Sequence, residues 1–141
     1  MLNVIKIEVP STPEQDFTLS HNEWVDGKLK VSRGATHDTY YILHETREVN
    51  DTRINAEGEE EQYTRQGVFA LPVVVAKPAT YENVINAAER TVYNLRTDAE
   101  AISFTASLAR RYRMDNQDAE TLEHDQFMNS VLEDVKPLFQ S

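Results

Sequence analysis

The chain has 141 residues, of which 40% are hydrophobic and 27% charged, and a formal net charge of −10. That length holds one domain, or two small units sharing a core, and the acidity repels phosphate backbones and anionic membrane surfaces, so non-specific nucleic-acid binding and membrane docking are excluded. Cysteine is absent, which rules out disulfides, thiolate metal sites and a cysteine nucleophile and fits synthesis in a reducing cytosol.

No apolar run approaches the roughly 18 residues of a transmembrane helix. The opening stretch, residues 1–9, lacks a basic leader and a long apolar region, so no signal peptide is expected. Residues 3–9 alternate as a strand, which would put Ile5, Ile7 and Val9 on one side and Val4, Lys6 and Glu8 on the other. Pro10 and Pro13 stop it, and residues 16–21 are ambiguous. Glu23 to Val31 holds a compact hairpin signal: Asp26-Gly27 suits a type I′ turn, where both central residues take positive φ. Trp24 is the one tryptophan and reads as a core or edge anchor.

Thr39 to Val49 is a strong strand that starts apolar on both faces and ends polar on both. Glu61 to Ala70 mirrors it in reverse. The two predict a long hairpin whose base joins a core and whose tip, Asn50 to Glu60, is solvated. Such a ribbon is marginal alone in water, so it is expected to lie on another chain. Its acidic run, Glu57 to Glu61, does not have the spacing of a calcium loop, because Arg53 occupies a ligand position counted from Asp51. A solvated charged tip is expected instead. Leu71 to Ala76 contains Pro72, which places this run at an edge or in a new strand after a bend.

The hydrophobic rhythm changes at Pro78, after which apolar residues recur every three or four positions. Thr80 is a good N-cap, and Tyr81, Val84, Ile85, Ala88 and Val92 make a helical stripe. Thr97 and Glu100 match a capping box for a second helix carrying Ala101, Ile102, Thr105, Ala106, Leu108, Ala109 and Tyr112, a face of small residues open to close approach. Residues 115–118 break it. A third helix runs from about Ala119 with Phe127, Met128, Val131, Leu132 and Val135 as its stripe, and Pro137 is expected to end it before a short apolar tail. The predicted class is α+β: an N-terminal antiparallel β unit with a long protruding hairpin (residues 1–79) and a C-terminal three-helix unit (residues 80–141).

Little chemistry is signalled. His21, His37, His44 and His124 form no pair at zinc-helix spacing, so structural or exposed roles are expected and no metal site is predicted. There is no glycine-rich phosphate loop, no nucleophile elbow and no sign of a cofactor. Asp115 and Asp118 could act as acid and base only with shifted pKa values, which exposure would deny them. Arg110, Arg111 and Arg113 form the one basic cluster, with Arg90 and Arg96 more distant. Its expected use is to complement the helix dipole, with phosphates, an acidic patch on a partner, or the acidic tip of a neighbouring copy as the alternatives.

The order of parts from residue 39 to residue 135 resembles small proteins encoded among the tail and fibre genes of phages infecting gut Bacteroides. The polar hairpin with Glu57-Gly58 leads through a proline into Thr80 to Arg90, where Tyr81, Val84, Ile85, Ala88 and Arg90 fit a motif of the form Tyr-x-x-Ile-Val-x-Ala-Ile-Ile-Arg. The third helix lacks the tryptophan those proteins carry. The resemblance implies a non-enzymatic virion part, made in the bacterial cytoplasm and present in many copies among other virion proteins. A cytosolic fibre-assembly chaperone or regulatory binding module is the alternative. For either role the expected partner-binding residues are Asn50, Asp51, Arg53, Ile54, Glu57, Glu59 and Glu60 of the tip, with Arg110, Arg111 and Arg113.

Overall fold

A computed structural model describes residues 4–9, 22–113 and 119–139, with backbone alone at 111–113. Five strands form one antiparallel sheet and three helices follow, so the α+β expectation holds. The strands are β1 (Ile7–Val9), β2 (Asn22–Val25), β3 (Lys28–Arg33), β4 (His37–Ile54) and β5 (Glu60–Ala76), and the helices are α1 (Tyr81–Tyr93), α2 (Asp98–Arg113) and α3 (Ala119–Phe139). The sheet order is β1-β5-β4-β3-β2.

The β2–β3 turn is built as the sequence implies, with Asp26 at φ 53 and Gly27 at φ 75. Trp24 is half-buried on β2, the outermost strand, which makes it an edge anchor. The first strand differs from expectation. Only Ile7–Val9 pairs, against Val68–Ala70 of β5. Ile5 and Ile7 face solvent at 65% and 44% exposure, while Val4 packs against the core and Val9 is buried. Lys6 turns inward to pair with Glu45 at 3.1 Å, so Val4 and Lys6, not the isoleucines, take the inner face. The Pro10–Pro13 stop, residues 16–21, His21 and the break at 115–118, with Asp115 and Asp118, lie outside the described residues.

Strand β5 runs straight through Pro72, which sits opposite Tyr41. It can do so because β1 reaches only as far as Ala70, leaving that edge without a described strand that needs the missing N–H. The core lies between the base of the sheet and two helices: Val31, Tyr40, Ile42, Leu71, Val73 and Val75 meet Val84 and Ala88 of α1 and Phe127, Val131 and Val135 of α3. Thr80 caps α1, its Oγ1 accepting from Asn83 N at 3.2 Å. Asp38 is buried beside this core. Burial alone would raise its pKa, but hydrogen bonding and charge from Arg33, the charge of Lys77 and the Gly34 N–H hold it below the usual carboxylate range.

One helical expectation is corrected. Helix α3 continues past Pro137 to Phe139, because a proline in the last turn forfeits only one ladder bond. Phe139 then stacks on Tyr40 at 5.7 Å and meets Tyr81 edge-on at 6.2 Å, which holds the final turn on the core. The small-residue face of α2 does not enter the core: no described α2 residue is fully buried, and Ile102 is 71% exposed. No described helix is long and apolar enough to cross a membrane.

Candidate functional site

The β4–β5 hairpin projects beyond the rest of the sheet. Strand β3 pairs with β4 only at Asp38–Tyr40, and β1 pairs with β5 only at Val68–Ala70. The eight pairs from Arg47↔Gly67 to Ile54↔Glu60 therefore form a two-stranded ribbon with no further strand on either edge among the described residues. Its turn is tighter than the predicted tip, spanning Asn55 to Glu59. Asn55 organises it: its Oδ1 accepts from the N–H of Glu57 and of Glu59, both at 3.0 Å, and its carbonyl accepts from Gly58 N. Gly58 supplies the left-handed position, φ 78, that closes such a loop without a Cβ clash. Asn50, Asp51, Arg53, Ile54 and Glu60, predicted as loop, are paired strand residues.

Strand alternation gives the ribbon two unlike faces. One carries Glu45, Arg47, Val49, Asp51 and Arg53 of β4 against Phe69, Gly67, Arg65, Tyr63 and Glu61 of β5. Its charges are matched internally. Arg65 grips both oxygens of Glu8 on β1, at 2.6 and 3.0 Å, and reaches Asp51 on β4 at 3.0 Å. Arg53 binds Glu61 at 2.6 Å and lies over Tyr63, 4.5 Å from the ring centre. Arg47 binds Glu45 and covers Phe69 at 4.8 Å. Gly67 is needed here: a Cβ would come within 2.9 Å of Val49 Cγ2 and 3.1 Å of the Phe69 ring. The hydrogen bond from Thr52 N, and then that from Arg65, hold Asp51 below its ordinary pKa, and the Arg65 bonds do the same for Glu8.

The opposite face is exposed throughout. It carries Thr46, Glu48, Asn50, Thr52 and Ile54 beside Glu60, Gln62, Thr64 and Gln66. Six of these nine are neutral hydrogen-bonding side chains, so this face has little charge of its own. Glu57, Glu59 and Glu60 are exposed at the tip and make no ion pair among the described residues, leaving the end of the ribbon acidic.

The predicted site residues thus separate into groups. Asp51 and Arg53 are engaged within the ribbon, whereas Asn50, Ile54, Glu57, Glu59 and Glu60 are exposed. Arg110 is exposed near the end of α2, and no ion pair joins it to the ribbon; the side chains of Arg111 and Arg113 lie outside the described residues. Arg90 is taken by Asp98 at 2.8 Å. The neutral face and the arginine clamp at Glu8 and Arg65 were not picked out in the sequence, although alternation of Thr, Asn and Gln across the two strands is a visible signal for the first.

Elsewhere polar groups converge for structural ends. His44 Nε2 donates to the Leu29 carbonyl at 2.9 Å, and Lys30 bridges His44 Nδ1 and Asp134 Oδ1 at 3.3 and 3.4 Å. His124 joins Glu89 across α3 and α1 at 2.9 Å, within ring contact of Tyr93 and Phe104. Burial and the charges of Glu89, Glu123, Glu120 and Asp125 push the Tyr93 phenol up to about 12. Among the described residues no three metal-ligating side chains are grouped as a cation would need. No protein-family model, curated protein or solved structure matches this chain.

Proposed function

We propose that this chain is a non-enzymatic structural protein of a phage particle, an adaptor or attachment piece of the tail, collar, baseplate or fibre region that works through protein–protein contacts. The ribbon carries this reading. It extends past the core that holds the rest of the sheet, it neutralises its own charges on one face, and it offers a neutral hydrogen-bonding face, two strand edges and an acidic tip to a neighbour. A surface of that kind suits strand pairing and side-chain hydrogen bonding with another protein. The resemblance of residues 39–135 to phage tail and fibre-region proteins supplies the setting, with other virion proteins as partners and many copies in a symmetric assembly.

Mass spectrometry of purified particles should find the chain at fixed stoichiometry. A shortened ribbon, with Asn50 joined to Thr64 through Asn-Gly, keeps the Glu8–Arg65 clamp and the core. It should fold with the parent's helical circular dichroism signal and a single cooperative melt yet fail to enter particles. Normal incorporation of the shortened chain overturns the reading.

A further inference from the structure

The outer edge of β4 is bare from Glu45 to Ile54 among the described residues. A bare edge exposes backbone donors and acceptors to any extended chain. Its side chains restrict which chain fits. We propose that this edge pairs antiparallel with the same edge of a second copy, two-fold about Val49, to give a four-stranded ribbon. The proposal rests on the protein-binding reading of the ribbon and names one partner for it.

Centring on Val49 places Glu45 opposite Arg53 of the second copy, Arg47 opposite its Asp51, Thr46 opposite its Thr52, Glu48 opposite its Asn50, and Val49 opposite itself. Directly opposed residues share a sheet face. Both charged pairs therefore fall on the charged face and the threonine pair on the neutral one. Neighbouring registers fail. Centring on Asn50 sets Arg47 against Arg53, and centring on Glu48 sets Glu45 against Asp51, each twice by symmetry. Like charges directly opposed destabilise strand pairs. The arginines retain unused donors: Arg47 engages Glu45 through Nε and Nη2, and Arg53 engages Glu61 through Nε.

The same register carries the acidic turn of each copy towards the His44 end of the other. Lys28 is exposed there, next to the β2–β3 turn. The net charge of −10 opposes self-association at long range. At physiological salt the Debye length is about 8 Å, so distant repulsion is screened far more than pairs in contact.

The chain has no cysteine, so one introduced thiol reports the register directly. Val49→Cys places two thiols across the axis, with Cα atoms on the order of 5 Å apart, within disulfide reach. Thr52→Cys lies on the same ribbon and is more exposed than Val49, but it opposes Thr46 and not itself. Mild oxidation of the full-length variants should link Val49→Cys into a dimer and leave Thr52→Cys unlinked. Sedimentation of the parent should show a dimer, and Arg47→Asp should raise the concentration at which it dissociates roughly tenfold or more, with unchanged far-ultraviolet circular dichroism below the melting transition as the check on folding. An unlinked Val49→Cys, equal linkage at Thr52→Cys, or a monomeric parent overturns the self-pairing. If the shortened ribbon still fails to enter particles in that case, the protein-binding reading survives. If the copies pair but the shortened chain assembles normally, the reverse holds.

Discussion

At Leu43 the backbone takes φ 57, a left-handed conformation that a leucine seldom adopts without compensation. The compensation is local. The bulge lies between Ile42 and Glu45, and its freed Leu43 N–H donates to Asp134 Oδ2 of α3 at 2.9 Å. Lys30 braces the other oxygen of Asp134 and reaches His44. Because the Leu29 carbonyl can only accept, Nε2 of His44 must carry a hydrogen, and Nδ1 then presents its lone pair to the Lys30 ammonium. This arrangement requires a neutral imidazole. Burial, helped by the Lys30 charge, accordingly lowers the His44 pKa. An unfolded histidine titrates near about 6.5. Below that pH the unfolded chain takes up a proton that folded His44 refuses, so its contribution to stability is complete above the unfolded value and is lost as pH falls through the folded one. His44→Gln should cost about 1–2 kcal/mol near neutrality through lost hydrogen bonds. It should also flatten the acid-side decline in denaturation midpoint below about pH 6.5 relative to the parent. Parallel pH profiles for parent and variant would contradict the neutral assignment.

Helix α2 shows how an element can be legible in sequence while its packing is not. Its start follows from Thr97 and Glu100: Thr97 Oγ1 accepts from Glu100 N at 3.1 Å, and Glu100 turns back to accept from Arg96 N at 2.7 Å, one residue beyond the standard capping-box donor. Periodicity marks the amphipathic face, but alanines bury too little area to fix a docking partner. What holds the helix is Phe104, which lies 4.4 Å from the Tyr93 ring and 5.7 Å from His124. An open groove of about 680 Å³ is left along Arg90, Ile102 and Ala106. Phe104→Ala should cost α2 about 3 kcal/mol of docking energy and speed proteolysis within residues 98–113, while the melting of the sheet and of α1 and α3 shifts little. A matching loss across the whole molecule would place α2 in the core after all. The β2–β3 hairpin was legible for the opposite reason, since Asp26-Gly27 fixes turn type and register together. The long hairpin was legible in outline only. Its Asn-x-x-Gly turn from Asn55 to Gly58 was not read, so the register stayed open, and it is register that brings Arg65 diagonally onto Asp51 and turns expected partner contacts into internal ones. Leu43 carries no sequence signal at all, because nothing in a leucine announces a bulge.

At the scale of the whole molecule the two halves are inseparable in packing though distinct in sequence. The change of rhythm at Pro78 falls between the end of β5 at Ala76 and the start of α1 at Tyr81, yet six core residues come from the sheet and five from α1 and α3. The ribbon adds none of them. Stability therefore resides in a small base, and each methyl group there counts for much of a margin that is only about 5–15 kcal/mol in ordinary domains. Val131 is fully buried on α3 within the core it shares with the sheet and α1. Val131→Ala should cost about 2 kcal/mol and lower the melting point by roughly 8–16 °C for a folded base of this size. The instructive readout is which signals move. Trp24 on β2 reports the sheet, and far-ultraviolet dichroism reports the helices. With one shared core both transitions shift together and stay coincident, as two-state unfolding demands. Independent units would instead let the helices of the variant melt early while the Trp24 fluorescence transition stays where it is in the parent.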